Sequence, residues 1–194
     1  PELRPFGRLF KLGGYQQSDG EMMTPQLALW TMPGFTRTKA NQDAPPAPHL
    51  RTNNNFADGD FHGFVAGKIA EGLGGFIQVA YNPYFNQLNL DDTDVRYVKQ
   101  LDLFGKEATL GVTVNNTPTL QDVWNTTNNW GWPQFSSDYA AYTVPGTFID
   151  SLGQQVGGAG MYLWWNNLLY LEASGYSGFD RRTLQLMGQQ PGSS

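Results

Sequence analysis

The chain of 194 residues contains no cysteine, which removes several kinds of function from consideration. Disulfide bonds, thiolate metal sites and thioether attachment of haem all need cysteine, so this chain supplies none of them itself. Histidine is nearly as scarce. His49 and His62 are the only two, and neither belongs to a His-x-His or His-Glu pair typical of a metal cage. A Gly-x-Ser-x-Gly motif is also absent, so the sequence leans away from a classical enzyme.

Charged residues are few, and acidic residues outnumber basic residues. The chain carries 12 Lys and Arg residues against 17 Asp and Glu residues, which gives a formal net charge of −5 at pH 7. Nucleic-acid binding needs a basic surface that neutralises phosphates, so we expect no nucleic-acid partner. Hydrophobic residues make up 40% of the chain and charged residues only 15%, a balance typical of an ordered domain.

Long apolar runs are missing as well. No stretch approaches the roughly 20 apolar residues that a membrane helix requires, and the start lacks the apolar core of a signal peptide. What the chain has in quantity is glycine, with 23 residues, and aromatic residues, at 14%. Both favour β structure with many turns. We therefore expect an all-β protein.

Alternation of apolar and polar residues predicts seven strands. The clearest is the run from Ala108 to Asn115, where period-two alternation gives the strand one apolar face and one polar face. The other predicted strands are residues 26–37, 60–70, 75–82, 95–102, 156–164 and 168–176. Loops are predicted at residues 38–59, at the polar segment that contains Asp91, Asp92 and Asp94, after Asn115, and in the tail from Phe179 onward.

The segment before the strands has a different character. Phe6, Leu9, Phe10 and Leu12 have the spacing of a short amphipathic helix. Gly13-Gly14 supplies a stop, because glycine readily adopts the left-handed conformation that ends helices. We therefore predict a short helix that ends at these glycines.

The predicted connections alternate between long and short along the chain. In an antiparallel meander this order places the long loops at one end, as in transmembrane β-barrels. Strands of about 9–11 residues also suit a bilayer crossing. Aromatic residues gather near strand ends, as an interfacial girdle would require. The alternative is a soluble sandwich or lipocalin-like barrel whose apolar face packs inwards, since alternation alone does not identify the buried face.

One acidic cluster is a candidate metal site. Asp91, Asp92 and Asp94 offer carboxylate oxygens, which hard cations prefer as ligands, although their spacing does not match a calcium-binding loop. A solvated acidic loop is the structural alternative. The sequence therefore predicts a candidate metal site at these three residues. It contains no other metal-binding pattern.

Three stretches resemble one protein family. Pro5-Phe-Gly-Arg-Leu-Phe-Lys-Leu-Gly-Gly-Tyr15 is similar to the segment that follows the haem motif in bacterial outer-membrane fused monohaem cytochrome–porins. The stretch from Val112, Val-Thr-Val-Asn-Asn-Thr-Pro-Thr-Leu-Gln-Asp-Val-Trp-Asn, followed by Trp-Gly-Trp-Pro, resembles the family's Asn-Asn-x-Pro-Thr-x-Gln-Asp-x-Trp-Asn signature. Leu168 to Tyr176 resembles one of its barrel strands.

The resemblance implies an up-and-down antiparallel β-barrel in the bacterial outer membrane. It implies electron conduction across that membrane, from extracellular ferrous iron to a periplasmic cytochrome or another redox carrier. Haem c is the implied cofactor, and family members attach it at a Cys-x-x-Cys-His motif just before the segment at Pro5. Residues 1–23 would then be the remnant of a haem module and linker, and residues 24–194 part of a larger barrel.

The resemblance also implies roles for individual residues. Phe6, Phe10 and Tyr15 are expected to surround the haem module, and Met22, Met23, His49 or His62 to supply an axial ligand. The acidic cluster would attract ferrous iron. Two other functions stay open: a passive porin whose loop over residues 118–151 folds inwards, and a soluble sandwich that binds carbohydrate through Trp124, Trp130 and Trp132.

Overall fold

The computed structural model describes residues 3–16, 25–31, 33–46, 50–57, 61–82, 86–124 and 148–189. Half of them belong to one antiparallel sheet of seven strands, in which each strand pairs with the next strand of that sheet along the chain. The strands are β1 (Gln26–Thr31), β2 (Gly34–Thr36), β3 (Asn55–Ala57), β4 (Phe61–Ala70), β5 (Leu73–Asn82), β6 (Gln87–Leu103), β7 (Lys106–Asn115), β8 (Val156–Trp165) and β9 (Leu169–Gly178).

The order of the large sheet is β1-β4-β5-β6-β7-β8-β9, while β2 and β3 pair as a separate ribbon. The prediction of a mainly β, antiparallel, up-and-down fold is thus confirmed. Within the described residues the sheet does not close into a barrel, and β1 and β9 are its edge strands. The first predicted strand is divided into β1 and β2 around Pro33, because proline cannot donate a hydrogen bond to a strand ladder.

Two short helices flank the sheet. The predicted N-terminal helix is present as α1 (Pro5–Leu12), and Gly14 follows it with a φ of +67°. The second helix, α2 (Arg181–Leu186), lies in the tail that was predicted as a loop. That prediction missed an N-cap, because the Asp180 side chain accepts hydrogen bonds from the backbone of Arg182 and Thr183. Neither helix has the length and hydropathy to cross a membrane.

The acidic segment is strand, contrary to the prediction of a loop. Asp91, Asp92 and Asp94 lie within β6, which begins at Gln87. Aspartate has a low strand propensity, but here the segment pairs with β5 across a register shift between Ile77 and Val79, and this pairing overrides the propensity. The connection from β5 to β6 is therefore only residues 83–86, which is short where the sequence predicted a long loop.

The sheet buries its polar face and exposes its apolar face. On β7, Thr113 is fully buried and Asn115 is 4% exposed, whereas Val114 is 56% exposed. We call the face against which α1 packs the inner face and the opposite face the outer face. The outer face carries exposed apolar side chains on every strand of the large sheet, among them Leu27, Leu29, Ile69, Ile77, Val95, Tyr97, Leu110, Val112, Met161 and Leu171.

Candidate functional site

The candidate site is the polar cluster between α1 and the inner face of β6, β7 and β8. Its centre is an ion pair between Asp94 and Arg96, both 0% exposed, with Arg96 Nε 2.6 Å from Asp94 Oδ2. Residues two apart on a strand share a face, so this Asp-x-Arg spacing places both charges inward. A buried pair of charges is tolerated only when further hydrogen bonds satisfy it. These involve Tyr15 in the turn after α1, Thr113 on β7 and the Leu120 carbonyl.

Asp94 accepts three hydrogen bonds. Besides Arg96, the Tyr15 hydroxyl donates to Oδ2 at 2.7 Å, and the Thr113 hydroxyl donates to Oδ1 at 2.6 Å. Thr113 faces Arg96 directly in the register of β6 with β7. Burial raises the pKa of Tyr15 well above its usual value, and the negative charge of Asp94 adds to the effect, so Tyr15 remains a donor.

Arg96 joins the sheet to the segment after β7. Its Nη2 donates to the Leu120 carbonyl at 3.1 Å, and its guanidinium lies 5.3 Å from the Tyr162 ring centre, within cation–π range. Arginine keeps its proton in proteins, so the guanidinium meets the Asp94 carboxylate as a cation. Its Nη1 has no hydrogen-bond partner within the part of the chain that the structure describes.

Helix α1 is tied to this cluster at several points. Lys11, only 5% exposed, donates from Nζ to the Asp122 carbonyl at 3.0 Å, and the Tyr162 hydroxyl donates to the Leu12 carbonyl at 2.6 Å. Burial lowers the pKa of Lys11 to about 8, and the charge of Arg96 contributes. A small apolar cluster of Leu12, Val98, Val123 and Tyr162 completes the contact. We call Lys11, Tyr15, Asp94 and Arg96 the latch.

A second polar group holds the segment between β7 and β8. Asp92 accepts hydrogen bonds from the Thr117 hydroxyl at 2.7 Å and from Gln154 Nε2 at 2.8 Å. The backbone of Gln154 also donates to the Asn116 carbonyl at 3.0 Å. Asp92 is only 8% exposed. The two ends of this segment are therefore held together over one buried carboxyl group.

His62 lies on the inner face of β4, stacked between two aromatic rings. Its ring centre is 4.8 Å from Trp30 and 6.2 Å from Phe64. Gln78 donates to Asp91 and contacts His62 Nδ1 at 2.9 Å, so the network assigns the imidazole proton to Nε2. Nε2 is buried and has no hydrogen-bond partner among the described residues.

The residues predicted to surround haem are only partly brought together. Phe6 and Phe10 stack with ring centres 6.4 Å apart, and Phe6 is 55% exposed. Tyr15 instead faces the sheet, with its ring 6.0 Å from Phe76 and its hydroxyl on Asp94. Met22, Met23, His49, Trp130 and Trp132 lie outside the described residues, and Trp124 is 49% exposed.

Some of these residues are better suited to contact a haem group than others. The Phe6–Phe10 pair offers an exposed aromatic surface that suits the flank of a porphyrin. His62 would need its proton moved from Nε2, and Gln78 turned away from Nδ1, before it could ligate iron. Covalent attachment cannot come from this chain, because it has no cysteine.

The three acidic side chains accept hydrogen bonds from different residues. Asp94 is occupied by the latch, Asp92 by Thr117 and Gln154, and Asp91 by Gln78. Across the described ranges, no three histidine, aspartate or glutamate side chains form a metal-binding group. Metal binding at these three residues stays a prediction.

The latch itself was not predicted. The sequence does carry one signal for it, since Asp94 and Arg96 alternate with the outward Val95 and Tyr97. Comparison with known proteins returns no match to a family model, to a curated protein or to a solved structure. The assignment of a function therefore depends on the geometry of the two sheet faces.

Proposed function

We propose that the protein is the front portion of an outer-membrane cytochrome–porin that conducts electrons across the bacterial outer membrane. The observation that carries this proposal is the distribution of polarity between the two faces of the sheet. The outer face exposes Leu, Val, Ile and Met side chains on neighbouring strands, and the inner face buries an ion pair. A membrane barrel has this arrangement, with an apolar band outside and a polar interior.

A soluble sandwich has the opposite arrangement, because its apolar face packs into the core and its polar face meets water. The exposed outer-face residues of β6, β7 and β8 are adjacent in the register, for example Tyr97 beside Val112 and Val112 beside Met161. They form one continuous apolar surface. An exposed apolar surface of this size is typical of a site that contacts another apolar phase. Lipid chains provide that phase.

The direction of the edge strands supports a larger barrel. In an antiparallel sheet of seven strands, the first and last strands, β1 and β9, run in the same direction. A membrane does not tolerate open sheet edges, so the sheet must be completed. Antiparallel closure requires an odd number of further strands, which we propose are supplied by residues other than the described strands.

Electron conduction is proposed from the resemblance of three stretches to the cytochrome–porins. Haem c, when bound, supplies a one-electron carrier. The residues of this chain would position the segment that carries it: the latch holds α1 against the inner face, and Phe6 and Phe10 present their rings beside it. Ferrous iron is the proposed electron donor, and a periplasmic cytochrome or another redox carrier is the proposed acceptor.

The test uses protein produced from its complete reading frame in a Gram-negative host. We expect a band with peroxidase activity, the signature of covalent haem, in the outer-membrane fraction. An outer-membrane protein without this band would contradict electron conduction and support the passive porin instead, which the absence of cysteine from this chain favours. Extraction without detergent as a single monodisperse species would contradict both barrel functions and support the soluble sandwich.

A further inference from the structure

The inner face is polar enough to line an aqueous passage, and α1 lies directly on it. Asp94, Arg96, Thr113 and Asn115 all lie on this face and are buried, and Glu172 of β9 lies on it as well. In a barrel, such a face lines a water-filled channel unless a loop or helix fills it. We propose that residues 3–16 are a detachable plug that closes this passage to ions, with the latch as the contact that keeps it closed.

The contact between the plug and the sheet is more polar than that of a permanent core helix. Within α1 only Lys11 and Leu12 are buried, while Phe6 is 55% and Leu9 is 38% exposed. A helix that is a fixed part of a core buries an apolar stripe along its length. Here a lysine ammonium, a tyrosine hydroxyl and a carbonyl oxygen make the polar connections, and Leu12 is the one residue of the plug in the apolar cluster. The plug is therefore held by a few specific bonds and one small apolar contact.

The sheet is shaped to receive the turn that follows α1. A Cβ atom on Gly74 would lie 2.0 Å from the Gly14 carbonyl oxygen, so only glycine on β5 allows this turn to approach. A Cβ on Gly14 would lie 3.5 Å from Val98 Cβ, and Gly14 has a φ of +67° that favours glycine. The plug therefore has one defined position, in which Tyr15 reaches Asp94.

The inference rests on the proposed function only in requiring a membrane barrel. The experiment measures ion conductance per inserted molecule in planar lipid bilayers, with protein produced from the complete reading frame. Tyr15→Phe removes the hydroxyl that donates to Asp94 and keeps the ring. Asp94→Asn is the stronger variant, because it also removes the charge that faces Arg96. Glu71→Gln, which breaks the exposed pair with Lys68, is the matched control.

A reversible crosslink keeps the test independent of any folding defect in the latch variants. Gly14→Cys with Val98→Cys places two Cβ atoms 3.5 Å apart, a separation that suits a disulfide. Cysteine at Gly14 is strained by the φ of +67°, so the reduced pair is the reference for the effect of the two substitutions themselves. We introduce this pair alone and together with Tyr15→Phe. Oxidation ties the plug to β6, and reduction releases it.

We expect low conductance for the wild type and for Glu71→Gln, and a several-fold rise for Tyr15→Phe and Asp94→Asn. The oxidised crosslink should return Tyr15→Phe to the wild-type level, and reduction should restore the rise. The proposal is overturned if the wild type conducts as well as the latch variants, or if oxidation leaves the conductance unchanged. Haem staining of the same preparations tests electron conduction separately, and failure of all variants to insert would contradict the barrel itself.

Discussion

At the scale of residues, the structure concentrates charge where water is excluded. Asp94 and Arg96 are fully buried, and each forms hydrogen bonds with groups from outside β6. A pair of this kind does not add much stability over apolar residues of equal size, but loss of one partner leaves an uncompensated charge. The latch should therefore respond far more strongly to single substitutions than to paired ones.

Arg96→Gln is expected to lower the free energy of unfolding by about 3 kcal/mol, because Asp94 is left buried without its cation. Asp94→Asn should have a similar effect, and the double variant should lose clearly less than the two single effects combined. Denaturant unfolding in detergent micelles, arranged as a double-mutant cycle, measures this coupling. Strictly additive effects would contradict a direct pairing. Glu71→Gln, at an exposed pair, should leave stability unchanged.

At the scale of elements, close packing across strands limits which residues a strand can hold. A Cβ on Gly111 would lie 2.1 Å from the Tyr162 ring, whereas a Cβ on Gly175 would meet nothing within 4 Å. The ring of Tyr162 thus lies directly over the β7 backbone, from where its hydroxyl reaches the Leu12 carbonyl. Gly111 therefore helps to position α1, because it leaves room for the Tyr162 ring.

Gly111→Ala is expected to displace the Tyr162 ring and to destabilise the protein by roughly 1–3 kcal/mol, the usual cost of overpacking. Gly175→Ala, the same change at an open position of β9, is the matched control and should have little effect. Thermal unfolding compares the two variants. Proteolysis should also cut the N-terminal segment of Gly111→Ala faster, and equal cutting in both variants would contradict the contact.

The sequence predicts where most strands lie, but it does not predict which face of the sheet is buried. Alternation in the run from Ala108 to Asn115 identifies β7 and its two faces, because side-chain direction is a local property of a strand. Which face is buried depends on α1 and the turn after it, where Tyr15 lies 79 positions from Asp94. The strand around Asp91 was missed for the same reason, since partners distant in sequence stabilise it.

At the scale of the whole molecule, the outer face is the surface that separates the proposed functions. Val112 lies at the centre of this face, between Tyr97 on β6 and Met161 on β8. The same substitution there has different consequences in lipid and in water. A lipid-facing arginine near the bilayer centre is costly, whereas a charge on a surface in contact with water is not.

Val112→Arg is expected to destabilise the membrane-inserted protein by roughly 2–4 kcal/mol and to reduce the inserted fraction. Leu168→Arg, at the exposed turn between β8 and β9, is the control and should insert normally. Flotation with liposomes and heat-modified gel mobility measure insertion. Equal insertion of the two variants would argue against lipid contact at the outer face.

The bond between the Tyr162 hydroxyl and the Leu12 carbonyl joins residues 150 positions apart. Bringing such distant residues together costs loop-closure entropy, which is recovered only after the intervening strands have paired. The N-terminal segment is made before the strands, yet it reaches its final position only when β6, β7 and β8 are in place. The segment therefore stays undocked until the sheet has assembled. A covalent modification of this segment, or of residues joined to it, can take place during that time.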